Sequence, residues 1–106
     1  MPVKKVTIGE MIREFFAEQH EGTTAEVTDF LAGRARAGGY RVPTRAHVRA
    51  YMNRVKLCGL IEPARKTPMK SPDGRGTWMI YTWRLVPGAL SSPAWRNPFD
   101  WRAKHR

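Results

Sequence analysis

Up to Leu60 the apolar positions follow a helical period. Ile8, Met11, Ile12, Phe15 and Phe16 repeat at i, i+3, i+4, i+7 and i+8, which places them on one side of a helix over about residues 8–20. Thr7 with Glu10 at the third helical position is a capping-box pattern, and Gly22 lies just past the end. Thr23 and Glu26 repeat the box, and Val27, Phe30 and Leu31 form the buried side of a second helix that stops at Gly38-Gly39. A third helix is expected from near Thr44, with Val48, Tyr51, Met52 and Val55 inward and Gly59 as its stop. From Glu62 the pattern changes to strands. One is expected around 62–68 and a second from Thr77 to Val86, dense in aromatic and β-branched residues. Pro72-Asp73-Gly74 between them is turn chemistry, so the pair reads as a hairpin. Trp78 and Trp83, an odd number of residues apart, fall on opposite faces of the second strand. From Pro87 no period persists, and residues 87–106 read as an extended basic and aromatic tail.

Length and composition narrow the class. The 106 residues, 42% of them hydrophobic, suffice for one small core and are too few for a multidomain enzyme. Cys58 is the only cysteine and the histidines stand at 20, 47 and 105, so neither a disulfide nor a zinc scaffold is expected. The sequence offers no Ser/His/Asp or Cys/His arrangement and no phosphate-cradling glycine loop with its lysine, which argues against an enzyme, a metal site or a cofactor. No apolar stretch approaches the roughly 18 residues needed to span a bilayer, and no apolar signal core follows Met1-Pro2-Val3-Lys4-Lys5. A soluble, cytoplasmic protein with no membrane partner is expected.

Charge changes the picture most. The net charge is +10. Residues 1–29 hold three basic groups (Lys4, Lys5, Arg13) and six acidic ones, so the remainder carries +13. From Phe30 to Ile61 there is no acid, while Arg34, Arg36, Arg41, Arg45, Arg49, Arg54 and Lys56 fall in that window. A segregated field of this kind reads as an anion-binding face backed by a neutral or acidic side. If Val48, Tyr51, Met52 and Val55 face inward, then Arg45, Arg49, Asn53 and Lys56 occupy the outer side or flank of the same helix. Arginine can present two donors to a guanine edge, asparagine can pair with adenine, and lysine acts as a point charge toward phosphate. The first two helices open on Glu10 and Glu26 but the third opens on Arg45 and Arg49, which oppose its macrodipole. A rule broken at one helix only suggests an external anion there, with Thr44 as its cap and Arg41 just ahead.

Three helices and then a hairpin within residues 7–86, with Val48-x-x-Tyr51-Met52-x-x-Val55-x-x-x-Gly59-Leu60-Ile61-Glu62 at the exit of the third helix, resemble the winged helix-turn-helix superfamily. The resemblance implies an α+β fold: a three-helix winged helix-turn-helix domain over residues 1–86 with a C-terminal β-hairpin wing, and an extended tail over 87–106. It also implies that the third helix enters a DNA major groove and that the wing touches a neighbouring groove or the backbone. Lys66, Lys70 and Arg75 surround the tip of that wing. In the tail, Arg96, Arg102, Lys104 and Arg106 interleave with Trp95, Phe99 and Trp101, which suits stacking on unpaired bases or packing back on the domain. The resemblance points first to a small DNA-binding transcriptional regulator on duplex DNA, with the tail or the first helix supplying a homodimer. A second reading is an RNA-binding ribosomal or ribosome-associated protein whose tail threads along structured RNA in a larger ribonucleoprotein assembly. A third is a protein-interaction module that uses its exposed tryptophans.

Overall fold

The computed structural model of the chain describes residues 6–100. Helix α1 (Ile8–Gln19) starts where both halves of the capping box close: the Glu10 N–H donates to the Thr7 hydroxyl and the Thr7 N–H to the Glu10 carboxylate, each at 3.1 Å. It buries Met11, Ile12, Phe15 and Phe16 and ends at His20. His20 sits in the left-handed region at φ 65°, an uncommon place for a residue with a side chain. That turn swings the chain directly into a short strand, β1 (Glu21–Thr23).

Thr23 and Glu26 form the second capping box, opening helix α2 (Thr24–Gly38), which buries Val27, Leu31 and Ala35. Helix α3 (Arg45–Leu57) is capped by the Thr44 hydroxyl, which accepts from the His47 N–H at 3.1 Å. Its inward side is Val48, Met52 and Val55. Strands β2 (Ile61–Lys70) and β3 (Thr77–Leu85) form a hairpin, and the antiparallel sheet has the order β1-β3-β2. This α+β arrangement is compatible with a winged-helix layout. β2 lies at the sheet's edge, which is why it tolerates Pro63 and Pro68; a register irregularity falls between Pro63 and Arg65. β1 is absent from the expectations of the sequence: three residues, Glu21-Gly22-Thr23, have no strand pattern, and pairing with β3 alone makes them one.

The core is formed by the inward faces of α1, α2 and α3 with Leu60 and Ile61, and Trp83 and Leu85 pack against it from the sheet. A Cβ on Gly22 would lie 2.4 Å from the Phe15 ring, so a larger residue there would have to displace that buried side chain. Among the described residues no helix is long and apolar enough to cross a membrane.

The C-terminal segment departs from expectation. Residues 87–100 are not an extended tail: after β3 the chain folds back through two 3-10 turns, Ala89–Ser91 and Pro93–Trp95. Trp95 is 1% exposed and belongs to the core, with its ring 6.5 Å from Phe16 and its indole N–H donating to the Ala89 carbonyl at 2.8 Å. The backbone of Trp95 passes so close to α1 that a Cβ on Gly9 would lie 1.8 Å from the Trp95 carbonyl oxygen. Arg13, one turn further along the same face of α1, donates to the Leu90 carbonyl at 2.8 Å and fixes the same segment. Further on, Pro98 is buried, and Arg54 on α3 reaches the Pro98 and Phe99 carbonyls at 3.4 and 3.2 Å while its guanidinium lies over the Phe99 ring. Tyr51 meets the same ring edge-on at 4.9 Å. A domain boundary at residue 86 therefore divides one core. Burying an indole removes more apolar surface than any other single side chain here, which offsets the entropy of ordering an irregular segment.

Candidate nucleic-acid interface

Helix α3 turns its basic residues toward one flank. At 100° per residue, Arg45, Arg49, Asn53 and Lys56 cluster on the side that faces the hairpin, while Tyr51, Arg54 and Cys58 line the opposite flank, under Phe99 and Pro98. Lys56 extends across to the sheet, its Nζ 5.7 Å from the centre of the Trp83 ring. Between helix and strand lies a cavity of about 490 Å³ lined by Ala46, Arg49, Ala50, Asn53 and Trp83, with Thr24 and Met52 below. Two small residues, Ala46 and Ala50, form the outermost ridge of α3, so a ligand can approach the helix closely between the longer side chains.

Six of the nine acids are engaged away from α3. Glu14 pairs with Arg34 at 2.9 Å, Glu21 with Arg65 at 2.6 Å, Glu62 with Arg84 at 2.6 Å and Asp73 with Arg75 at 4.0 Å, while Glu10 and Glu26 close the capping boxes. Register explains part of this segregation. Glu21 and Glu62 both stand opposite Arg84 and share the outer face of the sheet, away from α3. Among the described residues, Arg41, Arg45, Arg49, Lys56, Lys66 and Lys70 are exposed and none forms an ion pair. The first turn of α3 holds no acid at all. Unpaired cations on one flank keep their full field for an outside anion.

The structure brings most of the expected residues together. Arg45, Arg49, Asn53 and Lys56 share the α3 flank, and Lys66 lies across the hairpin opposite Tyr81 with its Nζ 5.6 Å from that ring's centre. Lys70 follows on the same face at the end of β2, paired with Thr77. Arg41 and Thr44 line a neighbouring cavity of about 580 Å³ with Val42, Pro43 and His47, at the N-terminal end of α3. Two sites differ from expectation. Arg75 is engaged within the hairpin tip: its backbone N–H donates to Asp73 at 3.0 Å, and its side chain is the group near that carboxylate. The Ser71 hydroxyl and then the Arg75 N–H hold the Asp73 carboxyl below the usual carboxylate range, so the tip carries its own counter-charge. Arg96 lies apart from α3, lining a cavity against α1 with Glu10, Arg13 and Glu14. Arg102, Lys104 and Arg106 lie outside the described residues.

No family model, curated protein or solved structure matches this chain.

The sequence reading missed the ring ladder of the hairpin. Met79, Tyr81 and Trp83 alternate along β3 and share the face that continues the core side of the sheet. Trp83 packs partly on the core, whereas Met79 and Tyr81 are exposed. Period-two alternation places Tyr81 beside Trp83, a signal present in the residues themselves. Trp78 points to the other face, exposed opposite Met69.

Proposed function

We propose that this chain is a nucleic-acid-binding winged-helix protein that grips its ligand with α3 and the β2-β3 wing, in the manner of a small DNA-binding regulator. The observation that carries the reading is the unpaired basic flank: Arg45, Arg49 and Lys56 on α3 continue into Lys66 and Lys70 on the wing, while Arg34, Arg65, Arg75 and Arg84 are all matched to acids. Asn53 beside the low ridge of Ala46 and Ala50 supplies base-edge chemistry, and the arginines and lysines of the flank supply phosphate contacts. Structured RNA is the second reading, favoured by the exposed Tyr81 ring and the half-buried Trp83 ring stacked on it, because a regular duplex offers no open base face to stack on them. The protein acts on this reading as a binding module with no catalytic step.

Fluorescence anisotropy with labelled duplex DNA and labelled structured RNA, each at several salt concentrations, tests it. About five phosphate contacts from the α3 flank and the wing give a plot of log K against log salt with a slope of about −4 to −5 on duplex DNA. No binding to either ligand at low salt, or binding indifferent to salt, would remove the reading.

A further inference from the structure

Of the ring ladder on the wing, Trp83 packs partly on the core, but Met79 and Tyr81 beyond it do not. Tyr81 and Trp83 stack with centroids 5.6 Å apart and planes 23° from parallel. Each ring carries an ammonium group: Lys66 from β2 over Tyr81, and Lys56 from α3 over Trp83. Tyr81 is 37% and Met79 44% exposed, and neither packs on the core. Both lysines lack an acid partner among the described residues, so their charges are answered only by the rings. Alternating ring faces and free cations are what a run of unpaired nucleotides requires: bases stack on the rings and phosphates meet the cations. At the end of the ladder nearest α3, the cavity beside Trp83 adds the Asn53 amide, with a donor and an acceptor for a base edge, and the Arg49 guanidinium.

We propose that this face binds unpaired nucleotides of DNA or RNA, with bases against Tyr81 and Trp83 and phosphates on Lys56, Lys66 and Arg49. The proposal rests on the nucleic-acid reading above and narrows it to ligands with a single-stranded or bulged segment. Binding exchanges one partner for another. The ammonium groups move from ring faces to phosphates, the rings take bases in their place, and no salt bridge has to break. A blunt duplex keeps its bases in its own stack and can use only the cations.

The test compares oligothymidylate, oligouridylate and a blunt DNA duplex by anisotropy on the full chain and on two variants, Tyr81→Thr and Tyr81→Phe. Tyr81 stands outside the core and threonine suits a strand, so both variants are expected to keep the wild-type thermal midpoint. Losing one stacked ring weakens single-strand binding about tenfold, whereas the duplex should lose less than about twofold and Tyr81→Phe should bind both like the wild type. A loss on either oligothymidylate or oligouridylate supports the proposal. Equal losses on single strand and duplex, or no loss on any single strand, would overturn it while leaving the interface itself intact. Failure of the wild type to bind any of the three would overturn both.

Discussion

Replacing Trp95 with alanine is expected to lower the stability of the domain by about 3–5 kcal/mol, the range for emptying a buried aromatic site. The indole is almost fully enclosed, lies against Phe16 and donates to the Ala89 carbonyl, so the substitution leaves a cavity beside α1 and removes one of that carbonyl's two donors, the Ser92 N–H being the other. A chain of this size has roughly 5–15 kcal/mol to lose in all. At about 4–8 °C for each kcal/mol, the thermal midpoint followed by far-ultraviolet circular dichroism should fall by roughly 15–30 °C. Truncation after Pro87 removes the same indole together with the Pro98 and Phe99 contacts, and should unfold the remainder. An unchanged midpoint in either variant would place residues 87–100 outside the core.

The second large effect is on binding. Arg45→Ala with Arg49→Ala removes two exposed, unpaired guanidinium groups from the flank of α3 that faces the wing. A charged hydrogen bond to phosphate or a base edge contributes about 1.5 kcal/mol, so the double variant should bind duplex DNA roughly a hundredfold more weakly, with the salt slope reduced by about 2. Stability moves the other way. Arg45 opens α3 with no acid in its first turn, and removing a cation from a helix N-terminus should raise stability by about 0.3–1 kcal/mol at low salt. Weaker binding in a protein that is as stable or slightly more so separates a ligand contact from a folding defect. Arg34→Ala is the control: it breaks only the exposed pair with Glu14 on the acidic side, and should alter binding less than about twofold.

Those residues were legible because the helices announce themselves locally. Two capping boxes, the apolar period of α1 and the inward set Val48, Met52 and Val55 lie within a few residues of the groups they organise, so the flank holding Arg45, Arg49, Asn53 and Lys56 follows from the period alone. β1 and the C-terminal segment were not legible, for a shared reason. Glu21-Gly22-Thr23 becomes a strand only because Arg84, Trp83 and Thr82 lie alongside, some sixty positions away in sequence. Ala89, Ala94 and Trp95 enter the core from irregular turns, where no period can mark the buried residues. One local hint existed: Gly9 sits inside the first turn of a helix, where glycine weakens the helix, and the close passage of the Trp95 backbone accounts for it. Arg96 was grouped with the other cations by proximity to aromatic residues in sequence, and the fold carries it to the α1 side instead. The ring ladder was readable in part. Strand alternation places Tyr81 with Trp83, but only the register of β2 against β3 sets Lys66 over the Tyr81 ring and extends the basic flank of the helix onto the wing.

Amide chemical-shift mapping during titration with a short DNA duplex and with oligouridylate reads the binding face most directly. Perturbations should concentrate on Thr44 to Lys56 and on the face of the wing that carries Lys66, Lys70 and Tyr81, leaving α1 and the outer sheet residues Glu62 and Arg84 near their free positions. Shifts centred on α1, or on Met69 and Trp78 at the opposite face, would contradict an interface formed by α3 and the wing.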